Sequence, residues 1–192
     1  MNLPKLLELI QTQRHDFLNH LQVISGLLQL NKADRVREYI GRVSLEMAQH
    51  GKTARVIVPE VTAALLTGFN EASMSQIGLE LTVESSLAEC AVPGPVLGEA
   101  LEHSMDCAIT AMALSGTEDR RLKVIFSENG ENHVCRLLFS GTPPPAGMDH
   151  FTKELASVEN LLEPYGGRVN LEMAGGSMEI FLMFPRKEPQ IG

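Results

Sequence analysis

The chain has 192 residues, 44% of them hydrophobic and 21% charged, enough for one large domain or two small ones with a real core. A formal net charge of −8 argues against a nucleic-acid surface spread over the whole protein. Tryptophan is absent and aromatics make up 5%, so the core is built from Leu, Ile, Val, Ala and Met.

Pro4 is tolerable in a first helical turn, and from there to about Leu30 the sequence predicts one long helix with Gly26 as its weak point. Leu7, Ile10, Phe17, Leu21, Ile24 and Leu28 recur at the spacings of a helix that packs on other helices, and only Arg14 interrupts the seam. Asn31-Lys32-Ala33-Asp34 reads as a short turn with Asp34 placed to cap a second helix. That helix carries Val36, Ile40, Val43 and Met47 and runs to the region of Ala54. So short a link predicts an antiparallel hairpin. A lone hairpin cannot close a core, and a homodimer that pairs two hairpins into a four-helix bundle is the economical solution. Val58-Pro59 marks the boundary, which gives domains 1–58 and 59–192.

The second part interleaves strands with helices. Glu60–Gln76 reads as a helix closed by Gly78, and Leu79–Glu84 as a half-buried strand. Pro93-Gly94-Pro95 starts a helix that runs from Val96 to Leu114 and ends at Ser115-Gly116. Leu122–Phe126 and Val134–Phe139 are strands joined through an Asn129-Gly130 turn. After the break at Thr142-Pro143-Pro144-Pro145, Asp149–Leu162 is helical and ends at Tyr165-Gly166-Gly167, which reads as a helix cap and turn. Val169–Met173 and Met178–Phe184 form a second hairpin, and Pro185 opens a polar tail. The fold class is α+β: a helical hairpin, then an α/β sandwich whose mixed or mostly antiparallel sheet is covered on one face.

Cys90, Cys107 and Cys135 are odd in number, far apart and without a CxxC, which predicts free thiols in a reducing compartment. No apolar run is long enough to span a bilayer, and Met1–Lys5 opens no signal peptide. The expectation is a cytoplasmic protein with no membrane segment.

The chemistry gathers in the first helix. His15 lies one position past the Arg14 seam position and so points away from the core. A neutral imidazole is an available nucleophile when exposed and when a neighbour fixes its tautomer. Asp16 can hold one ring nitrogen. Asn19, one turn on, can donate to a phosphoryl oxygen or place a water, and Arg14 can bond phosphate. On the pattern alone the plainer reading, an exposed histidine at the rim of a bundle, is favoured. His20 is such a rim residue, and its pairing with Asp16 is structural. His103, Asp106 and Cys107 share a helix, but their spacing indicates no fourth metal ligand.

A resemblance changes that weighting. Residues Arg14-His15-Asp16-Phe17-Leu18-Asn19-His20-Leu21-Gln22 and on to Leu28 resemble the phospho-acceptor helix of citrate- and dicarboxylate-sensing histidine kinases and of the related sporulation initiation phosphotransferase B family. The order of elements is similar over nearly the whole chain. The resemblance implies that His15 is phosphorylated, that the second part is like a kinase ATP-binding lobe, and that the partners are response-regulator receiver domains. Gln11, Leu18, Asn19 and Gln22 would then form the docking surface around His15.

The lobe departs from the kinases at three places. Cys107 stands where their Asp-Asn-Ala motif has its magnesium ligand, and a thiol is a poor ligand for so hard a cation. Leu138–Pro144 replaces the Asp-x-Gly-x-Gly that reads adenine. His150–Ala156 replaces the Gly-rich phosphate loop, although Ser157–Val169 keeps the family's following helix and turn. Losing all three implies a phosphotransferase and not an ATP-dependent kinase. This chain then binds no cofactor of its own, and Mg²⁺ comes with the receiver. The implied function is transfer from one receiver's Asp to His15 and on to another's, in a relay that controls sporulation. The alternatives are a sensor-kinase-like kinase or phosphatase, and a non-catalytic dimeric adaptor that docks receivers.

Overall fold

The computed structural model describes residues 3–118, 120–143, 145–174 and 176–187, which leaves Pro144 and Gly175 of the expected turns outside the described residues. It divides into two compact units between Gly51 and Lys52.

The first unit is α1 (Leu3–Gln29) and α2 (Ala33–Gly51). Asn31 closes α1 at φ +52°, a left-handed conformation that Asn tolerates. The Leu30 and Lys32 N–H groups donate to the Gly26 and Leu27 carbonyls at 3.1 and 3.0 Å and so satisfy the helix end. Asp34 is not the cap that the sequence suggests. It lies inside the first turn of α2, where it accepts a hydrogen bond from Arg37 at 2.9 Å and faces the positive end of the helix dipole. The expected helix to Ala54 stops at Gly51. Lys52–Arg55 instead makes a 3-10 turn that opens the second unit, because Lys52 donates its ammonium to the Leu81 carbonyl at 2.9 Å and Thr53 is buried.

The second unit runs α3 (Pro59–Met74), β1 (Gly78–Val83), α4 (Gly94–Ser115), β2 (Arg121–Asn129), β3 (Asn132–Ser140), α5 (Pro145–Leu162), β4 (Arg168–Ala174) and β5 (Ser177–Pro185). The sheet order is β1-β2-β3-β5-β4, with β1 parallel to β2 and every other pair antiparallel. Helix α4 makes the crossover that the parallel pair requires. Strand alternation sends Leu81, Val124, Leu137 and Ile180 to one face, where they are buried with residues of α3, α4 and α5. The other face carries Lys123 beside Glu80 at 3.8 Å, and Arg136, which binds Glu179 and lies over the Phe181 ring. The expected α/β sandwich with one covered face is the fold observed.

Three boundaries differ from expectation for local reasons. Gly78 does not end α3. Gln76 turns the chain at φ +57°, and Gly78 is the first residue of β1. Asn129 pairs with Asn132 in the β2–β3 ladder, so the loop is Gly130-Glu131. Gly130, at φ +60°, takes the first loop position, where a type II′ turn wants glycine. Helix α5 starts before Asp149, at Pro145, a residue suited to a first helical position.

Helices α3 and α4 cross closely at Gly98. A Cβ there would lie 2.8 Å from Glu60 Cβ and 2.9 Å from the Glu60 carbonyl oxygen, and backbone cannot swing aside. Overpacking costs about 1–3 kcal/mol, against the roughly 1 kcal/mol that alanine gains over glycine inside a helix. Gly98→Ala is therefore expected to lower the urea midpoint of the lobe, where an uncrowded helix glycine would raise it.

A second prediction comes from His133, which is fully buried. Ser85 donates its hydroxyl proton to Glu128 at 3.0 Å and lies 2.8 Å from His133 Nδ1, so the ring's Nδ1–H donates to Ser85. Burial pushes the His133 pKa below the usual histidine value; Arg186 acts the same way, while the Ala88 carbonyl, Glu128 and Glu89 oppose. Burial lowers His50 likewise, against Glu46. A base with a lowered folded pKa contributes full stability above its unfolded value of about 6.5, and that stability is lost as pH falls below it. The urea midpoint should be lower at about pH 5.5 than at about pH 7.5. His133→Gln should flatten that dependence in part, leaving the share of His50.

Candidate functional site

Helix α1 presents two faces that matter. His20, Ile24 and Leu27 are half-buried on the α2 side, where α2 contributes buried Val36 and half-buried Tyr39 and Val43. His15 lies away from that contact, with 73% of its side chain exposed. Its Nδ1 is 3.1 Å from Asn19 Nδ2 and 3.6 Å from Asp16 Oδ1. Asn19 arrives because helix residues four apart stack on one face. Both contacts fall on Nδ1. With the Asn19 amide nitrogen donating to Nδ1, the proton sits on Nε2. With Nδ1–H donating to Asp16, or to an Asn19 amide turned to present its oxygen, the Nε2 lone pair faces outward.

The other expected site residues divide clearly. Gln11, Leu18 and Gln22 are exposed at helical spacings of four, three and seven from His15, on its own face. Arg14 is exposed on the flank. The expected pairing of His20 with Asp16 is not formed. His20 Nδ1 instead meets the Tyr39 hydroxyl at 2.9 Å. The expected seam is also re-sorted: Ile24 turns toward α2, while Ile10, Phe17, Leu21 and Leu28 stay between 47% and 59% exposed.

In the lobe, Cys107 lines a small cleft between α4 and α5 with Asp106, Pro143, His150, Phe151 and Glu154. The cleft holds about 40 Å³, room for roughly three waters. Burial pushes the Cys107 thiol up to about 12, and the Glu154 and Asp106 carboxylates push the same way. All three cysteines are free and buried. Among the described residues, no three His, Cys, Asp or Glu side chains converge as a metal site. Also among the described residues, no helix is long and apolar enough to cross a membrane. Sequence reasoning missed Tyr39 as the partner of His20, and Phe151 and Glu154 as walls of the cleft. The only available signal was the helical spacing of Phe151, Leu155 and Val158, which marks a buried face without saying what it faces.

The sequence pattern of the family described as "Sensor_kinase_SpoOB-type, alpha-helical domain" matches residues 1–56. The sensor protein CitS of Halalkalibacterium halodurans is 26% identical over 218 residues, which cover 100% of this chain and 39% of that protein. Sporulation initiation phosphotransferase B of Bacillus subtilis is 35% identical over 63 residues, 33% of each chain. The chain thus spans well under half of the curated relatives it matches. Among solved structures, Acinetobacter baumannii histidine kinase AdeS superposes with a TM-score of 0.53 at 13% identity, covering 91% of this chain and 98% of that one. The catalytic domain of histidine kinase ThkA gives a TM-score of 0.54 at 15% identity, covering 67% of this chain and 92% of that one. These likenesses establish the fold of a histidine kinase. Residues 1–56 match the SpoOB-type sensor-kinase alpha-helical domain, and the lobe that follows has the fold of a histidine kinase catalytic domain.

Proposed function

We propose that this chain is a histidine phosphotransferase of a two-component phosphorelay. His15 takes a phosphoryl group from the aspartyl phosphate of one receiver domain and hands it to the Asp of another. The observation that carries this reading is an exposed imidazole whose two polar contacts both fall on Nδ1. In the accepting step Nε2 attacks phosphorus, the N–P bond forms, and the P–O bond to the receiver carboxylate breaks as that carboxylate leaves. The ring keeps its Nδ1 proton and becomes positively charged, and the Asp16 carboxylate faces that charge. The return step reverses this: a receiver carboxylate oxygen attacks phosphorus and the neutral ring leaves. Gln11, Leu18, Asn19 and Gln22 supply the docking face, and Arg14 is placed to reach a phosphoryl oxygen from the flank. The receiver brings Mg²⁺.

Three observations favour a lobe without ATP chemistry. A buried thiol with a raised pKa stands where the kinases hold their metal ligand. Phe151 and Pro143 wall the cleft beside Cys107, and their side chains offer a phosphate no hydrogen-bond donor. Asp106 and Glu154 would repel the phosphates of a nucleotide. The partial likeness to the sporulation phosphotransferase supports a relay in sporulation control. The free thiols support a relay in the cytoplasm, where thiols stay reduced. The exposed stripe on α1 supports a homodimer.

The test is label transfer from two donors, supplied separately: a labelled, phosphorylated receiver domain and labelled Mg-ATP. Label from the receiver alone is the expected result. Label on His15 from ATP alone would make the chain a kinase. No label from either, across several receivers, would favour the adaptor. The Asn19 amide beside His15 favours one added activity, orienting a water against a receiver's acyl phosphate, and Asn19→Ala would then slow phosphate loss from the receiver.

A further inference from the structure

We infer that Tyr39 of α2 is a positioning residue for His15: it holds His20 against α2 and so leaves the Asp16 carboxylate to the phosphoryl-accepting ring. The inference rests on the proposed role of His15. Asp16 lies between two imidazoles. His15 is its chain neighbour, at 3.6 Å. His20 is four residues on, the spacing at which helical side chains meet. A carboxylate turned toward His20 would leave His15 Nδ1 with the Asn19 amide alone, 3.1 Å away. An amide nitrogen donating to Nδ1 fixes the tautomer in which Nε2 carries the proton and has no lone pair for phosphorus.

His20 is kept out of that competition by α2. Its Nδ1 meets the Tyr39 hydroxyl at 2.9 Å, and the two ring centroids lie 5.9 Å apart at 58°. The Arg42 guanidinium lies over the Tyr39 ring at 5.1 Å and steadies the phenol. Tyr39 from α2 is the titratable group in contact with His20, Arg42 stands behind it over the phenol ring, and Asp16 is four residues back on α1. Removing only the Tyr39 hydroxyl frees His20 to turn to Asp16, while the ring that stacks on Arg42 remains.

The experiment compares wild type, Tyr39→Phe, and Tyr39→Phe with His20→Ala. Two quantities are read on each: the ring ¹⁵N shifts of His15, which report its tautomer, and the rate of label uptake from a phosphorylated receiver. Tyr39→Phe should move His15 toward the Nε2–H tautomer and slow uptake about tenfold, less than the hundredfold that an ångström of misplacement can cost. Adding His20→Ala should restore both, which a merely structural loss at Tyr39 would not allow. An unchanged His15 tautomer in Tyr39→Phe overturns the inference, as does a double variant that restores neither quantity. If the tautomer responds as expected but wild type takes up no label, the coupling between Tyr39 and His15 stands and the acceptor role of His15 falls.

Discussion

His15→Gln should abolish phosphoryl uptake from a receiver while leaving the hairpin folded. A glutamine amide has no lone pair that can attack phosphorus, so the loss is that of a nucleophile, about a thousandfold or more. The structural cost is small: the side chain is 73% exposed and its hydrogen bond is to Asn19 on the same surface. Surface changes of this kind stay within about 0.5 kcal/mol. Asp16→Asn provides the contrast. At 3.6 Å and half exposed, the carboxylate works in a medium close to water. There a charge pair is worth about 1 kcal/mol, or roughly a five- to tenfold change in rate. Label uptake on a gel should therefore vanish for His15→Gln and only slow for Asp16→Asn. A relay that runs unchanged on folded His15→Gln protein would sink the phosphotransferase and leave the adaptor.

The sequence displays faces better than partners, and the differences between expectation and structure follow that division. Period-2 alternation identified the strands because one sheet face is buried and the other wet. Helical spacing brought Asn19 to His15 without any tertiary information. The same periodicity could not say which apolar face of α1 meets α2, since Ile24 and Leu21 are equally apolar and only the fold separates them. Tyr39 was hidden for a related reason: its link to His20 crosses between helices, where no spacing rule applies. Asn129-Gly130 marked the hairpin but not its register, which depends on where the ladder of β2 and β3 ends. At the cleft, Cys107 stood out in the sequence only against the motif of the kinases it resembles. That Phe151 and Glu154 close on the same place required the packing of α5 against α4.

The stripe left on α1 leads to the other large effect. Ile10, Phe17, Leu21 and Leu28 recur along one side of the helix, each about half exposed. Ile40 and Met47 are exposed on α2. A second hairpin would cover such a stripe, and twofold symmetry would use each residue twice. Burying a Phe or Leu side chain is worth about 1.5–3 kcal/mol. Phe17 and Leu21 have about half of that still to gain, so the four side chains of the two copies contribute roughly 3–6 kcal/mol before the cost of association. Phe17→Asp with Leu21→Asp removes that contribution and places four carboxylates in the seam. The double variant should weaken dimerisation by at least about a hundredfold, and light scattering at micromolar concentration should then find a monomer where the wild type is a dimer. Both substitutions lie off the His15 face, and α1 keeps its contact with α2 through His20, Ile24 and Leu27. Helix content should therefore survive, which separates dissociation from unfolding. A variant that remains dimeric would place the interface on another surface. A wild type that is already monomeric would mean that the stripe serves a different partner.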